Sequence, residues 1–270
     1  MRRLGAALAL AVAVCAGPAF ALDPGTASGH YTRDGVRLNF AHAVALSQDN
    51  TEGLLDHGPQ VRVLLSTEDV PIDALYGLVF PPVRAMASKG KVHGVLLEFD
   101  PADKTQLHVT VLMPPKEPGE FAPNISLSAS SGVWKQLTSS ATRIGGAYDA
   151  GSDADFAFTF SAPVFTDPVQ ADLKGPAAQA SDQVKVLLVR AQAIAKGDLA
   201  GALAVSSKGS GLHEVPPGMI KEAAKQAPEM IKQIKAIKRV VVRRETAVAL
   251  MGQGSWSSLV MEDGVWKVAD

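Results

Sequence analysis

The chain has almost no thiol chemistry: one cysteine in 270 residues, Cys15, and that one near the start. A disulfide framework is therefore excluded, and a cysteine-rich metal centre with it. Tyrosine is nearly as scarce, at three residues, and none lies beyond Tyr148. Charge is sparse too: Lys, Arg, Asp and Glu make up 20% of the chain, leave a formal net charge of −1 and form no long like-charge run. Recognition that depends on neutralising many phosphates is excluded, so no nucleic-acid partner is expected. The motifs Gly-x-x-x-x-Gly-Lys, His-Glu-x-x-His and Gly-x-Ser-x-Gly do not occur, which removes a phosphate loop, a zinc-protease helix and a serine elbow. What is abundant is apolar surface, at 47% of residues, enough to build a sizeable core.

The start of the chain reads as an export signal. Arg2 and Arg3 precede an apolar run from Leu4 to Val14, and Ala19-Phe20-Ala21 places small residues where a signal peptidase reads. A membrane-spanning helix needs about 20 uninterrupted apolar residues, whereas Gly17 and Pro18 follow this run closely. Cleavage after Ala21 is expected. It discards Cys15 and leaves a periplasmic or secreted chain without a transmembrane segment.

The rest is longer than the usual domain of roughly 100 to 150 residues, and two domains are expected. The boundary falls at 166–180, where Pro168, Gly175 and Pro176 mark a linker before a helix start at Ser181. Charge divides at the same place. Leu22 to Asp172 holds 10 Lys and Arg against 18 Asp and Glu, while Leu173 to Asp270 holds 14 against 9. Solvated faces of opposite balance explain this simply; electrostatic docking of the halves is the sharper reading.

Residues 22–165 read as a mainly β, sandwich- or barrel-like domain. Leu107, Val109 and Val111 alternate with Gln106, His108 and Thr110, the mark of a strand with one buried and one wet face. Val95, Leu97 and Phe99 form a matching stripe, and Asp100 to Lys104 makes the reversal between them. Further strands are expected at 30–40, 41–48, 61–66, 125–130, 143–148 and 155–162. Pro71 to Phe80 suggests a short crossover helix or loop, stopped by Pro81 and Pro82.

Residues 181–270 change period and read as an α+β domain, its helices packed on a curved antiparallel sheet. Val184, Leu187, Leu188, Ala191 and Ile194 share one helical stripe, with Ser181 as cap and Gly197 at the close. Asp198 caps a short helix through Val205. A second stripe runs from Met219 to Ile237, with a kink or break expected at Pro228. Strands follow at 239–244, 246–251, 255–261 and 265–268, the last two joined by Asp263-Gly264.

Lys196-Gly197-Asp198-Leu199 with Ala202, then a long basic helix, then Leu259 to Glu262, Asp263-Gly264 and Val265-Trp266-Lys267-Val268, resemble the small exported domains of the nuclear transport factor 2-like superfamily. The resemblance implies a cone, in which helices wrap a curved sheet around an apolar cavity, lined here by Ala249, Met251, Trp256 and Val260. It also implies frequent pairing of domains through the sheet, hence a possible homodimer. That fold hosts enzymes and binding domains alike. Gly29-x-Tyr31, His42-Ala43-x-Ala45 and Val63-Leu64-Leu65-Ser66 are similar to a recurrent bacterial exported β domain.

The candidate sites are few. Asp49, Glu52, Asp56 and His57 share a loop rich in the oxygen ligands that calcium takes, set against an ordinary polar turn. Asp149, Asp153 and Asp155 alternate like a calcium loop, but Phe160 stands where a bidentate glutamate belongs. His42 is expected on one strand face with Leu38, Phe40, Val44 and Leu46, as a hydrogen-bonded neutral imidazole. Ser210 and His213 are close in sequence, which does not make a triad. Lys221, Lys225, Lys232, Lys235 and Lys238 flank the long helix, either as a solvated face or as a surface for an anionic polymer or membrane. The leading expectation is an exported, non-catalytic protein binding an envelope component or small apolar ligand; the alternative is a metal-assisted hydrolase at the 49–57 loop, or an isomerase or lyase in the cavity.

Overall fold

A computed structural model of the chain describes residues 24–48, 60–77, 82–114, 124–150, 155–216, 218–251 and 255–269. The expected export signal at 1–21 and the loop carrying Asp49, Glu52, Asp56 and His57 lie outside the described residues, as does Asp153.

Ten strands form one curled, largely antiparallel sheet: β1 (Thr26–Arg33), β2 (Val36–Asn39), β3 (His42–Gln48), β4 (Gln60–Ser66), β5 (Gly94–Phe99), β6 (Gln106–Leu112), β7 (Asn124–Ser128), β8 (Gln136–Ser139), β9 (Arg143–Asp149) and β10 (Phe156–Thr166). Their order is β7-β6-β5-β4-β3-β1-β10-β9-β8, with β2 on β1 and the end of β10 running parallel to β3. The expected hairpin is β5–β6, in register Val95 to Val111 and Leu97 to Val109. Asp100 and Asp103 build its turn, accepting the backbone N–H groups of Ala102 and Thr105, each at 2.8 Å. Gly29 is required where β1 meets β10: its φ is +119°, and a Cβ there would stand 2.1 Å from the Ala157 carbonyl oxygen.

The centre of this sheet is buried on both faces. Val63, Leu65, Val95, Leu97, Val109, Phe158 and Phe160 pack on one side, with the Trp134 ring 4.6 Å from that of Phe99. Leu46, Leu64, Leu96 and Leu112 pack on the other, under a 3-10 turn at Ile72–Leu75 and helix α1 (Pro82–Ser88). This corrects two expectations. Pro82 opens a helix instead of ending one, because the N–H it lacks has no helical partner in a first turn anyway. The wet face of β6 stops at His108: Thr110 is 4% exposed, beneath Arg84 of α1.

Beyond β10 the chain forms β11 (Ala171–Lys174), α2 (Pro176–Gln179), α3 (Asp182–Ala195), α4 (Leu199–Ala204), α5 (Met219–Lys235), β12 (Arg239–Val242), β13 (Thr246–Leu250), β14 (Trp256–Glu262) and β15 (Val265–Val268). The segment 166–180, expected as a linker, thus carries the end of β10, a strand and a short helix. Strands β11 to β15 make a second sheet in chain order, with Leu187 of α3 and Ile234 of α5 packed on Ala247, Ala249 and Leu259. The caps are those the sequence indicates: Ser181 Oγ accepts from Val184 N–H, Asp198 Oδ1 from Gly201 N–H, and Gly197 takes a φ of +70°. Asp263 and Gly264 both take positive φ, as the two-residue turn between β14 and β15 demands. Helix α5 runs through Pro228 as one element. Its flanking Ala227 and Ile234 are buried on either side of the proline, and this packing outweighs one lost hydrogen bond.

The two sheets touch through arginines of the β12–β13 turn. Arg243 Nη1 donates to the Asp167 carbonyl at the end of β10, and Arg244 Nη1 donates to the Tyr76 hydroxyl at 3.0 Å, its guanidinium 5.6 Å from that ring's centre. Cations from the basic half thus meet acceptors in the acidic half.

Candidate functional site

A cavity of about 510 Å³ lies between helices α3 and α5 on the small sheet. Helix α3 supplies Leu187, Arg190, Ala191 and Ile194; α5 supplies Gln226, Glu229, Met230, Gln233 and Ile234; Met251 and Ser257 come from the sheet. The helical spacing explains this set. Arg190 is three residues after Leu187 and four before Ile194, so it interrupts the apolar stripe from within. Gln226, Glu229, Met230 and Gln233 recur at the same three- and four-residue steps on α5.

Electrostatics distinguish floor from rim. Arg190 is partly buried, with its Nε wholly shielded from solvent. Ser257 is 7% exposed. Glu229 stands at the rim, with its side chain 60% exposed and Lys232 Nζ 3.5 Å away. The wall can therefore hold an apolar body, offer neutral donors from Gln226, Gln233 and Ser257, and present one sheltered cation.

Of the residues expected to line a cavity, Met251 lines this one and Ala249 sits fully buried in the core beside it. Trp256 and Val260 lie on the opposite sheet face. They pair with Leu250 and Thr246, whereas the alternate positions Ser257 and Leu259 pair with Ala249 and Ala247 on the helix side. The cavity's ionisable groups, Arg190 and Glu229, come from the helices. Their signal in the sequence is a charged residue inside an apolar helical stripe, not a pattern on the strands.

Other chemistry-bearing residues are occupied in holding the fold. Arg62, 4% exposed, donates to Glu98 at 2.9 Å and to the carbonyls of Leu75 and Gly77 at 2.8 and 2.6 Å. Arg84 approaches the same carboxylate at 3.6 Å, and burial, opposed by Glu98 and reinforced by Arg62, lowers its pKa from the ordinary arginine value. This cluster fastens the 3-10 turn and α1 to the sheet. His93 donates its backbone N–H to Glu68 at 2.9 Å and brings Nδ1 to 2.7 Å from the same carboxylate. Burial alone would raise the Glu68 carboxyl; these bonds outweigh it and hold it below its usual value.

His42 shares its face with Val44 and Leu46, while Leu38 and Phe40 belong to the opposite core, because the break between β2 and β3 shifts the alternation. His213 Nε2 meets the Ser207 carbonyl at 2.9 Å and Ser210 Oγ accepts from Leu212 N–H, so the serine and histidine serve separate turns. Lys225 and Lys232 pair with Glu222 and Glu229 along α5, as on a solvated face. Among the described residues, no group of three or more His, Cys, Asp or Glu side chains is placed to hold a metal ion, and no helix is long and apolar enough to cross a membrane. No family model, no curated protein and no solved structure matches the chain.

Proposed function

We propose that this is an exported, non-catalytic binding protein of the bacterial cell envelope, whose last 90 or so residues form a nuclear transport factor 2-like cone that holds a small, largely apolar ligand. The observation that carries this reading is the cavity between α3 and α5. About 510 Å³ is a volume suited to a small molecule, and Leu187, Ala191, Ile194, Met230, Ile234 and Met251 give it a predominantly apolar wall. Its two ionisable groups are an arginine, which stays protonated, and a rim glutamate held by Lys232. Neither forms the acid–base pair that proton transfer in a cavity needs. Export is supported by the arginine-led apolar run and small-residue site before Leu22.

The test is a gentle native mass spectrum of the protein recovered from the cell envelope fraction. A mass beginning at Leu22 plus a reproducible adduct is expected. A bare mass across independent preparations would sink the ligand, and a retained leader would sink cleavage at Ala21.

A further inference from the structure

We propose that the cavity takes an uncharged aliphatic chain ending in a single hydroxyl, with the chain against Leu187, Ile194, Ile234 and the two methionines and the hydroxyl on Ser257 Oγ. This rests on the binding reading above and names its ligand class. Ser257 lines the cavity from β14 and is 7% exposed. It shares the helix side of the sheet with Leu259, and its strand partner is the fully buried Ala249. No hydrogen bond to a described residue occupies its hydroxyl, yet the oxygen is not sealed from the cavity that the residue lines. A buried hydroxyl without a partner carries a desolvation cost that an oxygen on a bound ligand would offset. Serine donates one hydrogen bond and accepts others, which matches an alcohol, itself both donor and acceptor.

The charges in the wall argue for a neutral head. Arg190 and Glu229 are the formal charges among the lining residues, and they are opposite in sign. Each already has an interaction within the protein, that of Glu229 being with Lys232 at 3.5 Å. An ionic head would give up its water for a lone hydroxyl, whereas a neutral head gives up little. A pure hydrocarbon would leave Ser257 as it stands, without a partner. Of the neutral polar residues in the wall, Gln226 and Gln233 are exposed and Ser257 alone is buried, so a polar end enclosed by the cavity meets Ser257. Met230 and Met251 give unbranched, adaptable walls that suit a flexible chain.

The experiment titrates the protein, beginning at Leu22, with octanol, octanethiol, octanoate and octyltrimethylammonium at pH 8 by calorimetry. Octanol is expected to bind one to one and at least tenfold tighter than either ion. Octanethiol, whose sulfur is a weak donor and acceptor, should bind about fivefold more weakly than octanol. Hexanol should bind roughly tenfold more weakly than octanol, as two fewer buried methylenes require. Ser257→Ala should bring octanol down to the thiol's affinity while leaving octanethiol within twofold, which also verifies that the variant is folded. Should that variant fail to fold, octanol against octanethiol on the unaltered protein carries the test, and equal affinities overturn the assignment to Ser257. Undiminished octanol binding by folded Ser257→Ala overturns it too, and octanoate as tight as octanol overturns the neutral head; each of these leaves the binding reading standing. Failure of all the probes to bind overturns the binding reading itself.

Discussion

The large sheet and the helices packed on the small sheet place their arginines differently. In the large sheet Arg62 is spent on its own fold: its guanidinium is shared among Glu98 and two backbone carbonyls, and it is 4% exposed. On the small sheet's helix side, α3 brings Arg190 to the wall of a cavity that amides and a serine also line. A polar group enclosed by protein partners holds elements together; one that lines a cavity also faces whatever occupies that space. The centre of the large sheet is packed on both faces, whereas the small sheet carries a cavity on its helix side.

The strongest way to break this comparison is to open a void where none exists. Trp134 packs against Phe99, Phe158 and Phe160 with ring centres 4.6, 5.9 and 6.3 Å away. Trp134→Ala should cost about 3–5 kcal/mol in denaturant unfolding, with no change in ligand affinity among molecules that remain folded. Weakened binding in that folded fraction would show that the two sheets are not separable in function.

Next in size is the arginine cluster. Glu98→Gln leaves Arg62 and Arg84 facing each other without an anion, for a loss of about 2–3 kcal/mol, the lower end for a buried pair because Glu98 is partly exposed. Replacing Arg62 and Glu98 together, by Met and Leu, should recover most of the pair's share but not the bonds to Leu75 and Gly77. If the double variant is no better than the single, the carbonyl anchors and not the ion pair dominate.

How much of this was legible from residues alone depended on what set each feature. The helix caps Ser181 and Asp198, the turn at Asp263-Gly264 and the β5–β6 hairpin were, because short-range chemistry fixes them. Strand β8, at Gln136–Ser139, was not: it is a mostly exposed edge strand with no alternating apolar face to announce it. Nor was β11, whose Asp172 is fixed by Arg239, 67 positions away in sequence, at 2.8 Å. Trp256 and Val260 were assigned to the cavity by apolarity, yet register turned them away from it, since in a strand the side of a residue is set by parity and not by character. Nor was Arg190 legible, because a single charge in an apolar stripe carries meaning only when the stripe's partner leaves space beside it.

Alkaline pH should separate the two sheets without mutation. All three tyrosines belong to the large-sheet region, and burial raises each: Tyr31, where Arg33 partly opposes it; Tyr76, where Arg244 does; and Tyr148, where Asp149 adds to it. A phenol whose folded pKa is raised above its unfolded value of about 10 stabilises fully below that value and loses the contribution as pH rises through the folded pKa. Stability followed from pH 8 upward should hold to about pH 10 and then fall. Far-ultraviolet loss should accompany tyrosinate absorbance, with the ligand site following only as far as the sheets are coupled. Arg244→Ala sharpens the reading: it removes the cation that holds Tyr76 down, so one of the three phenols should titrate later. It should cost about 1 kcal/mol for the hydroxyl bond and ring contact.

The smallest effect is the most diagnostic. Gln233→Leu exchanges a cavity amide for an apolar side chain of similar length on a helix that already packs through Ala227 and Ile234. A position committed to the fold would lose a partnered polar group and register the loss, as Glu98 does. A position reserved for a ligand has no such partner to abandon, so stability should change by less than about 0.5 kcal/mol or rise slightly. The same variant should change the affinity of any ligand held in the cavity, because the amide lines its wall. A large loss of stability here would place Gln233 among the groups that hold the protein together, and the contrast between the two sheets would then fail at its most exposed point.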